Sequence, residues 1–358
     1  MTRVGKGCSV TADSVWRGHG GEAFGPPSLP ETAPVFAALD LGTHNCRLLA
    51  ASPAGEGFRV VDAFSRIVRL GEGLGRTGHL SEIAMRRAIE ALKICAGRLK
   101  KLGVARQRNV ATEACRQANN CDEFIERVHA ETGLDIEIIS AAEEARLALD
   151  GCAPLLERDC EYAVVFDIGG GSTELMWLAI GDGREPRIEE SVSLPYGVVT
   201  LAERYGGDRV TDADYREIVA KVMKRVAPFS ERHRIPEHIA AGRVQMLGTS
   251  GTVTTLAAVH FDLPRYNRAA VDGAYLTFED MQRLSRSLAA MGGAERAAHP
   301  CIGPKRGDLV VAGCAILEAI CATWPVGRLR VADRGVREGI LIGLIRGSAA
   351  PISASGQA

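Results

Sequence analysis

Net charge is nearly absent from this chain of 358 residues: 43 Lys and Arg against 44 Asp and Glu leave −1. Nothing global therefore draws it to nucleic acid or to an anionic membrane, and any polyanion it binds must meet a local basic surface. Long apolar runs are also missing. No stretch of about 18 or more apolar residues occurs, and the N-terminus has no apolar signal-peptide core. The expectation is a cytoplasmic protein that neither spans nor coats a membrane. The ten cysteines (8, 46, 95, 115, 121, 152, 160, 301, 314 and 321) include no CxxC pair and no Cys/His cluster at zinc spacing. They read as reduced thiols filling a core, not as disulfides or metal ligands. With 46% hydrophobic and 24% charged residues, the composition is that of a globular protein, and the length suits two domains.

What is present centres on Val164-Val165-Phe166-Asp167-Ile168-Gly169-Gly170-Gly171-Ser172-Thr173-Glu174-Leu175. An apolar strand runs into a carboxylate, three glycines and two hydroxyls, and a second strand leaves. Glycines there permit the positive backbone torsions of a tight turn and let an anion approach. Successive N–H groups from Gly169 to Thr173 can line one concavity, with the Ser172 and Thr173 hydroxyls as further donors. Asp167, at the strand end, repels a bare phosphate and makes better sense beside a divalent cation or its water shell. An ordinary glycine-rich hairpin is the bland alternative. A second copy weighs against it: Ala37-Ala38-Leu39-Asp40-Leu41-Gly42-Thr43-His44-Asn45-Cys46-Arg47 repeats strand, Asp, Gly, hydroxyl, strand. Two such turns predict a duplicated α/β architecture, two actin-like domains flanking a central cleft into which each offers a phosphate-holding hairpin.

The order of elements supports that plan. Residues 1–32 lack periodicity and read as a tail, with a domain over 33–151, another over 152–346, and a second tail from 347. Ser81 caps a helix ended by Gly103, Asn109 to Glu113 is a short strand, and Leu134 to Ile139 another. Asp150 to Pro154 reads as the linker between halves. Strand, helix and strand in alternation mean parallel sheets, whose ligands lie beyond the carboxyl strand ends. Glu113, Glu144 and both Asp-Gly turns should map there. A third strand-to-helix junction, with Gly248, Ser250 and Gly251, offers a helix N-terminus to an anion. Lys221, Lys224 and Arg225 read as a solvated helix face. The apolar helix from Leu309 to Cys321 is a candidate homodimer surface, and Gly335 to Ile345 forms a closing helix that can pack back on the first domain.

Six of these segments, Leu39 to Asn45, Ala111 to Arg116, Ser140 to Arg146, Asp167 to Glu174, Gly248 to Thr252 and Asp333 to Leu341, together resemble the Ppx/GppA family. Its members are exopolyphosphatases and guanosine pentaphosphate phosphohydrolases of the actin-like, ribonuclease H-like superfamily. The resemblance implies that Glu144 is the catalytic carboxylate acting on water, where residue type alone leaves Glu143 and Glu144 equivalent. It implies that Asp167 and Glu174, with Asp40 as the equivalent of Asp167, serve magnesium or another divalent cation. The turns Gly42-Thr43-His44-Asn45 and Gly169 to Thr173 become the two phosphate loops, and Arg116 a basic residue near the anion. His44 stands where many relatives carry another small polar residue, so the contribution of its side chain is left open. The chain resembles the short two-domain form of the family. The implied reaction is attack of water on the terminal phosphoanhydride of polyphosphate or guanosine pentaphosphate. The rivals are an actin-like kinase for a small molecule and a non-catalytic regulator that binds the alarmone.

Overall fold

Two β-sheets frame the computed structural model, which describes residues 33–55, 57–181 and 185–349. The first contains β1 (Phe36–Leu41), β2 (Asn45–Ala54), β3 (Gly57–Ile67), β4 (Arg106–Ala111) and β5 (Glu137–Ile138), in the order β3-β2-β1-β4-β5. The second contains β6 (Tyr162–Ile168), β7 (Thr173–Ala179), β8 (Arg187–Leu194), β9 (Val244–Thr249), β10 (Tyr275–Thr277) and β11 (Arg328–Ala332), in the order β10-β11-β9-β6-β7-β8. In each, a hairpin places one antiparallel strand beside the central one, and crossover strands then add in parallel. Read from β8, the second sheet repeats the first, with β10 added at its far edge. This shared order is the ribonuclease H-like plan of two actin-like domains.

The hydrophobic pattern sorts the helices into layers. Helices Glu82–Leu102 and Cys121–Thr132 cover the outer face of the first sheet through Met85, Ile89, Leu92, Phe124 and Val128. Ser81 caps the first of these by accepting from the Ala84 N–H, and Gly103 ends it in the left-handed conformation. Helices Asp212–Arg232, Gly251–His260, Phe278–Ala290 and Val310–Thr323 cover the outer face of the second sheet. Between the sheets lie helices Ala141–Cys152 and Val336–Ala349, in one core with Phe36 and Ala38 from β1 and Val165 and Met176 from β6 and β7. Leu147, Leu149, Ile340 and Leu341 are buried in this layer. At roughly 1.5–3 kcal/mol for each such side chain, this apolar layer outweighs the polar bridges at the cleft edge, Arg69 to Asp308 and the Gly73 N–H to Glu203.

Several expectations need correction. Residues 150–154 are no linker: helix continues through Cys152, and a 3₁₀ turn covers Ala153–Leu155. Gly151 is there for contact, since a Cβ on it would lie 2.2 Å from the Gly335 carbonyl oxygen. The strand expected over Leu134 to Ile139 is only the pair Glu137–Ile138, because it bonds β4 only at Val110 and Ala111. The apolar helix offered as a dimer surface, Val310–Thr323, is buried within the second core, so that apolarity is explained inside one chain. The closing helix runs to Ala349, past the expected start of the second tail. The first expected tail, 1–32, and residues 350–358 lie outside the described residues. No helix among the described residues is long and apolar enough to cross a membrane.

Candidate active site

The two hairpin turns close in the same way. The Gly42 N–H donates to the Asn45 carbonyl at 2.8 Å, and the Gly169 N–H to the Ser172 carbonyl at 2.9 Å. Their other carbonyls are held from behind: those of Thr43 and His44 by N–H groups of Gly71, Val68 and Arg69, those of Gly169 and Gly170 by Val198 and Val199. The N–H groups of Thr43, His44, Gly170 and Gly171 make no hydrogen bond among the described residues. With the carbonyls anchored on the far side, these donors are left to the cleft, the arrangement of an anion-binding nest.

The glycines work differently from the expectation. None of Gly42, Gly169, Gly170 or Gly171 has positive φ. Close approach is what they permit: a Cβ on Gly171 would lie 2.7 Å from Thr43 Oγ1, and one on Gly170 would lie 3.1 Å from the Cβ atoms of Thr43 and His44. The unusual backbone belongs instead to Ser250, at φ 81° and ψ −176°, a conformation that side chains seldom tolerate and that clusters at functional sites. It turns β9 into the helix beginning at Gly251, and Ser250 lines the cavity together with Asp167.

Asp40 is the last residue but one of β1, opposite Arg47, and Asp167 the last but one of β6, opposite Glu174. Equivalent places in the two hairpins thus hold opposite charges. Glu174 is buried and accepts from the Ser172 and Ser193 hydroxyls at 2.6 and 2.9 Å. Burial pushes Asp167 up to about 6, with Arg47 opposing and Asp40 adding to the rise. Burial and then the Asp167 charge push Glu174 up to about 7. Asp40 rises as well, through burial. Above the ordinary values of 3.8 and 4.5, and up to these raised ones, the folded chain keeps protons that the unfolded chain has released, so this cluster loses stability as pH climbs through that window. The melting midpoint should drop from about pH 5 to about pH 8, and Asp167→Asn should flatten the drop. An unchanged drop in the variant would remove Asp167 from the effect.

Glu144 stands in the first turn of a helix capped by Ser140, whose hydroxyl accepts from the Glu143 N–H. Arg116 Nη1 donates to Glu144 at 2.8 Å and to the Ile139 carbonyl at 2.9 Å, while its Nε and Nη2 donate to Glu113. Arg116 thus holds Glu144 and Glu113 in place. Burial, then Glu174, raise Glu144 well above the usual carboxylate range. Glu143, its neighbour, turns outward to Arg108 and Arg146. Two glutamates equivalent in sequence are therefore separated by their partners: Glu144 reaches the cleft and Glu143 does not.

Both turns, Glu113, Glu144, Asp40, Asp167 and Ser250 line one cavity of about 100 Å³ where the two halves meet. Five predicted residues stand behind it, Arg116 among them. Thr173 is fully buried and donates to the Tyr196 carbonyl. Gly248 packs on the Phe166 ring, which a Cβ would approach to 2.5 Å. Gly251 begins its helix one residue past the lining, and Glu174 acts on the cavity through Ser172 and Asp167. Sequence reasoning missed Arg47 and Arg306. Arg47 lines the cavity, and neither guanidinium is within ion-pair distance of a carboxylate among the described residues. Burial, then Arg47, hold Arg306 below its usual range. Aligning the two hairpins would have exposed Arg47, since it occupies the place of Glu174.

Residues 49–347 match the Ppx/GppA phosphatase family. A guanosine-5'-triphosphate,3'-diphosphate pyrophosphatase of Aeromonas hydrophila subsp. hydrophila is 29% identical over 314 residues, 87% of this chain and 60% of the relative. The chain thus matches about three fifths of that relative's length. The crystal structure of the Aquifex aeolicus member of the family superposes with a TM-score of 0.74 at 28% identity, covering 88% of this chain and 99% of that one. That of an exopolyphosphatase-like protein superposes with a TM-score of 0.79 at 29% identity, covering 89% and 100%. A family match running across both sheets, on a fold whose duplicated hairpins meet at one cleft, leads to the conclusion that this chain belongs to the Ppx/GppA phosphatase family.

Proposed function

We propose that the chain hydrolyses the terminal phosphoanhydride of guanosine pentaphosphate or inorganic polyphosphate and releases orthophosphate. One observation carries this reading: the Glu144 carboxylate, fixed by Arg116, reaches a cavity walled by the free N–H groups of two phosphate-type turns. Those donors suit the oxygens of the reacting phosphoryl group, where preorganised dipoles act most strongly. Glu144 takes a proton from water as the water oxygen bonds to the terminal phosphorus. The bond from that phosphorus to the bridging oxygen breaks, and its electron pair stays on the leaving phosphate. That leaving group is stable as an anion, so no strong general acid is required.

The donor set fits a divalent cation of the hard, oxygen-binding kind. Asp40 and Asp167 are half-buried carboxylates facing the cavity, with buried Glu174 behind, and burial raises all three while Arg47 opposes the rise at both aspartates. Their oxygens do not converge as a ready-made cage. Among the described residues the group that does is Glu157, Asp159 and Cys160, where Glu157 already accepts from Arg328. Asp40 and Asp167 would therefore hold magnesium largely through its water shell, which that ion releases reluctantly. When bound, the cation supplies charge neutralisation for the phosphates. Chelating all divalent metal should reduce phosphate release to background, with recovery on adding magnesium; full activity under chelation would remove Asp40 and Asp167 from that role.

The reading itself is tested by measuring orthophosphate release from guanosine pentaphosphate and from polyphosphate at matched concentrations. Tight binding of either substrate without release would leave a binding protein, not an enzyme.

A further inference from the structure

The ring nitrogens of His44, in the first turn, have no protein partner among the described residues, and neither has Oδ1 of its neighbour Asn45. His44 is 6% exposed and lines the cavity. Its backbone is pinned, since the carbonyl accepts from the Val68 and Arg69 N–H groups and Gly170 packs against its Cβ. Buried polar groups are nearly always hydrogen-bonded, and one that is not requires an explanation. The charges around it differ from those around Glu144. His44 feels Arg69, Arg306 and Arg47, while Glu144 feels Glu174, Arg116 and Asp40. His44 packs against Gly170, whereas Glu113, tied through Arg116 to Glu144, packs against Gly171, so the ring and the base stand at successive places along the second turn. Burial and then the three arginines hold the ring down at about 3, so it is neutral at any working pH and offers one N–H and one lone pair.

We infer that His44 is a substrate-positioning residue whose neutral ring donates a hydrogen bond to an oxygen of a phosphate that is not transferred, the one next along from the phosphorus attacked at Glu144. This rests on the hydrolase reading above. The arginines supply the charge for a polyanion. A neutral N–H adds direction without adding a fourth cation to a basic surface that must stay folded when no anion is bound.

The test compares His44→Ala, His44→Leu and His44→Asn, the last of which keeps a side-chain N–H donor. Removing a donor to a charged acceptor should raise KM by about 10–100-fold in the Ala and Leu variants, with kcat changed far less. His44→Asn should restore KM to within about threefold. The rise should be the same for guanosine pentaphosphate and polyphosphate, because the contact is to phosphate. The melting midpoint of His44→Leu should equal or exceed that of the wild type, since two unbonded buried nitrogens are removed. Calorimetric binding of inorganic tripolyphosphate reads the same contact without turnover, and should weaken in Ala and Leu and recover in Asn. Wild-type KM and tripolyphosphate affinity in the Ala and Leu variants would overturn the inference, as would a KM rise confined to the nucleotide. Absence of phosphate release by the wild type would instead defeat the hydrolase reading, with tripolyphosphate binding still deciding the role of His44.

Discussion

Glu144→Gln should leave the chain folded and lower kcat for phosphate release by about 10²–10⁴-fold, the usual contribution of a positioned general base. The amide has the shape of the carboxylate, and its oxygen still accepts from Arg116 Nη1. Only the capacity to take a proton from water is lost. Stability should move the other way. Glu144 is raised by burial and by Glu174, so its ionised form is held at a disadvantage that a neutral amide does not share. A dead variant with an unchanged or higher melting midpoint is therefore the expected pair of results. The wild-type rate should also rise with pH until Glu144 is ionised, and the Gln variant should lack that limb. Turnover near the wild-type rate in Glu144→Gln would place the base elsewhere.

Gly339→Leu should cause the largest loss of stability, roughly 3 kcal/mol. The closing helix crosses helix Ala141–Cys152 so closely that a Cβ on Gly339 would lie 2.0 Å from the Leu147 carbonyl oxygen. Backbone cannot turn aside as a flexible side chain can. The helices must separate, opening the layer that buries Leu147, Leu149, Ile340 and Leu341 between the sheets. Gly343 serves as the control: it is exposed in the same helix and a Cβ there meets nothing within 4 Å. Gly343→Ala should raise stability by up to about 1 kcal/mol through helix propensity. Denaturant midpoints of the two variants check this, and equal midpoints would show that the helix crossing tolerates a side chain. Arg337 and Glu338, on the same helix, line the cavity, so Gly339→Leu should lower activity too.

What was legible in the sequence was local. The hairpins at Asp40 and Asp167 were visible because two apolar strands, a carboxylate and glycines sit within a dozen residues. Ser81 was visible as a cap because capping is decided within one helical turn. The duplicated fold followed from repetition of one such local pattern, and the family resemblance supplied Glu144.

Only the tertiary structure decided the rest. It separated Glu144 from Glu143 by their partners, assigned Arg116 to two carboxylates, and joined Arg47 to Arg306 from opposite halves of the chain. It also reversed the meaning of glycine: those at 170 and 171 permit contact between loops, those at 151 and 339 permit contact between helices, and the positive φ in the cavity lining at the end of β9 belongs to Ser250. A glycine chosen for its torsion and one chosen for a neighbour far along the chain are the same letter. Backbone propensity acts over a few residues and leaves its mark in sequence pattern, whereas burial, contact and electric field come from segments brought together only by folding.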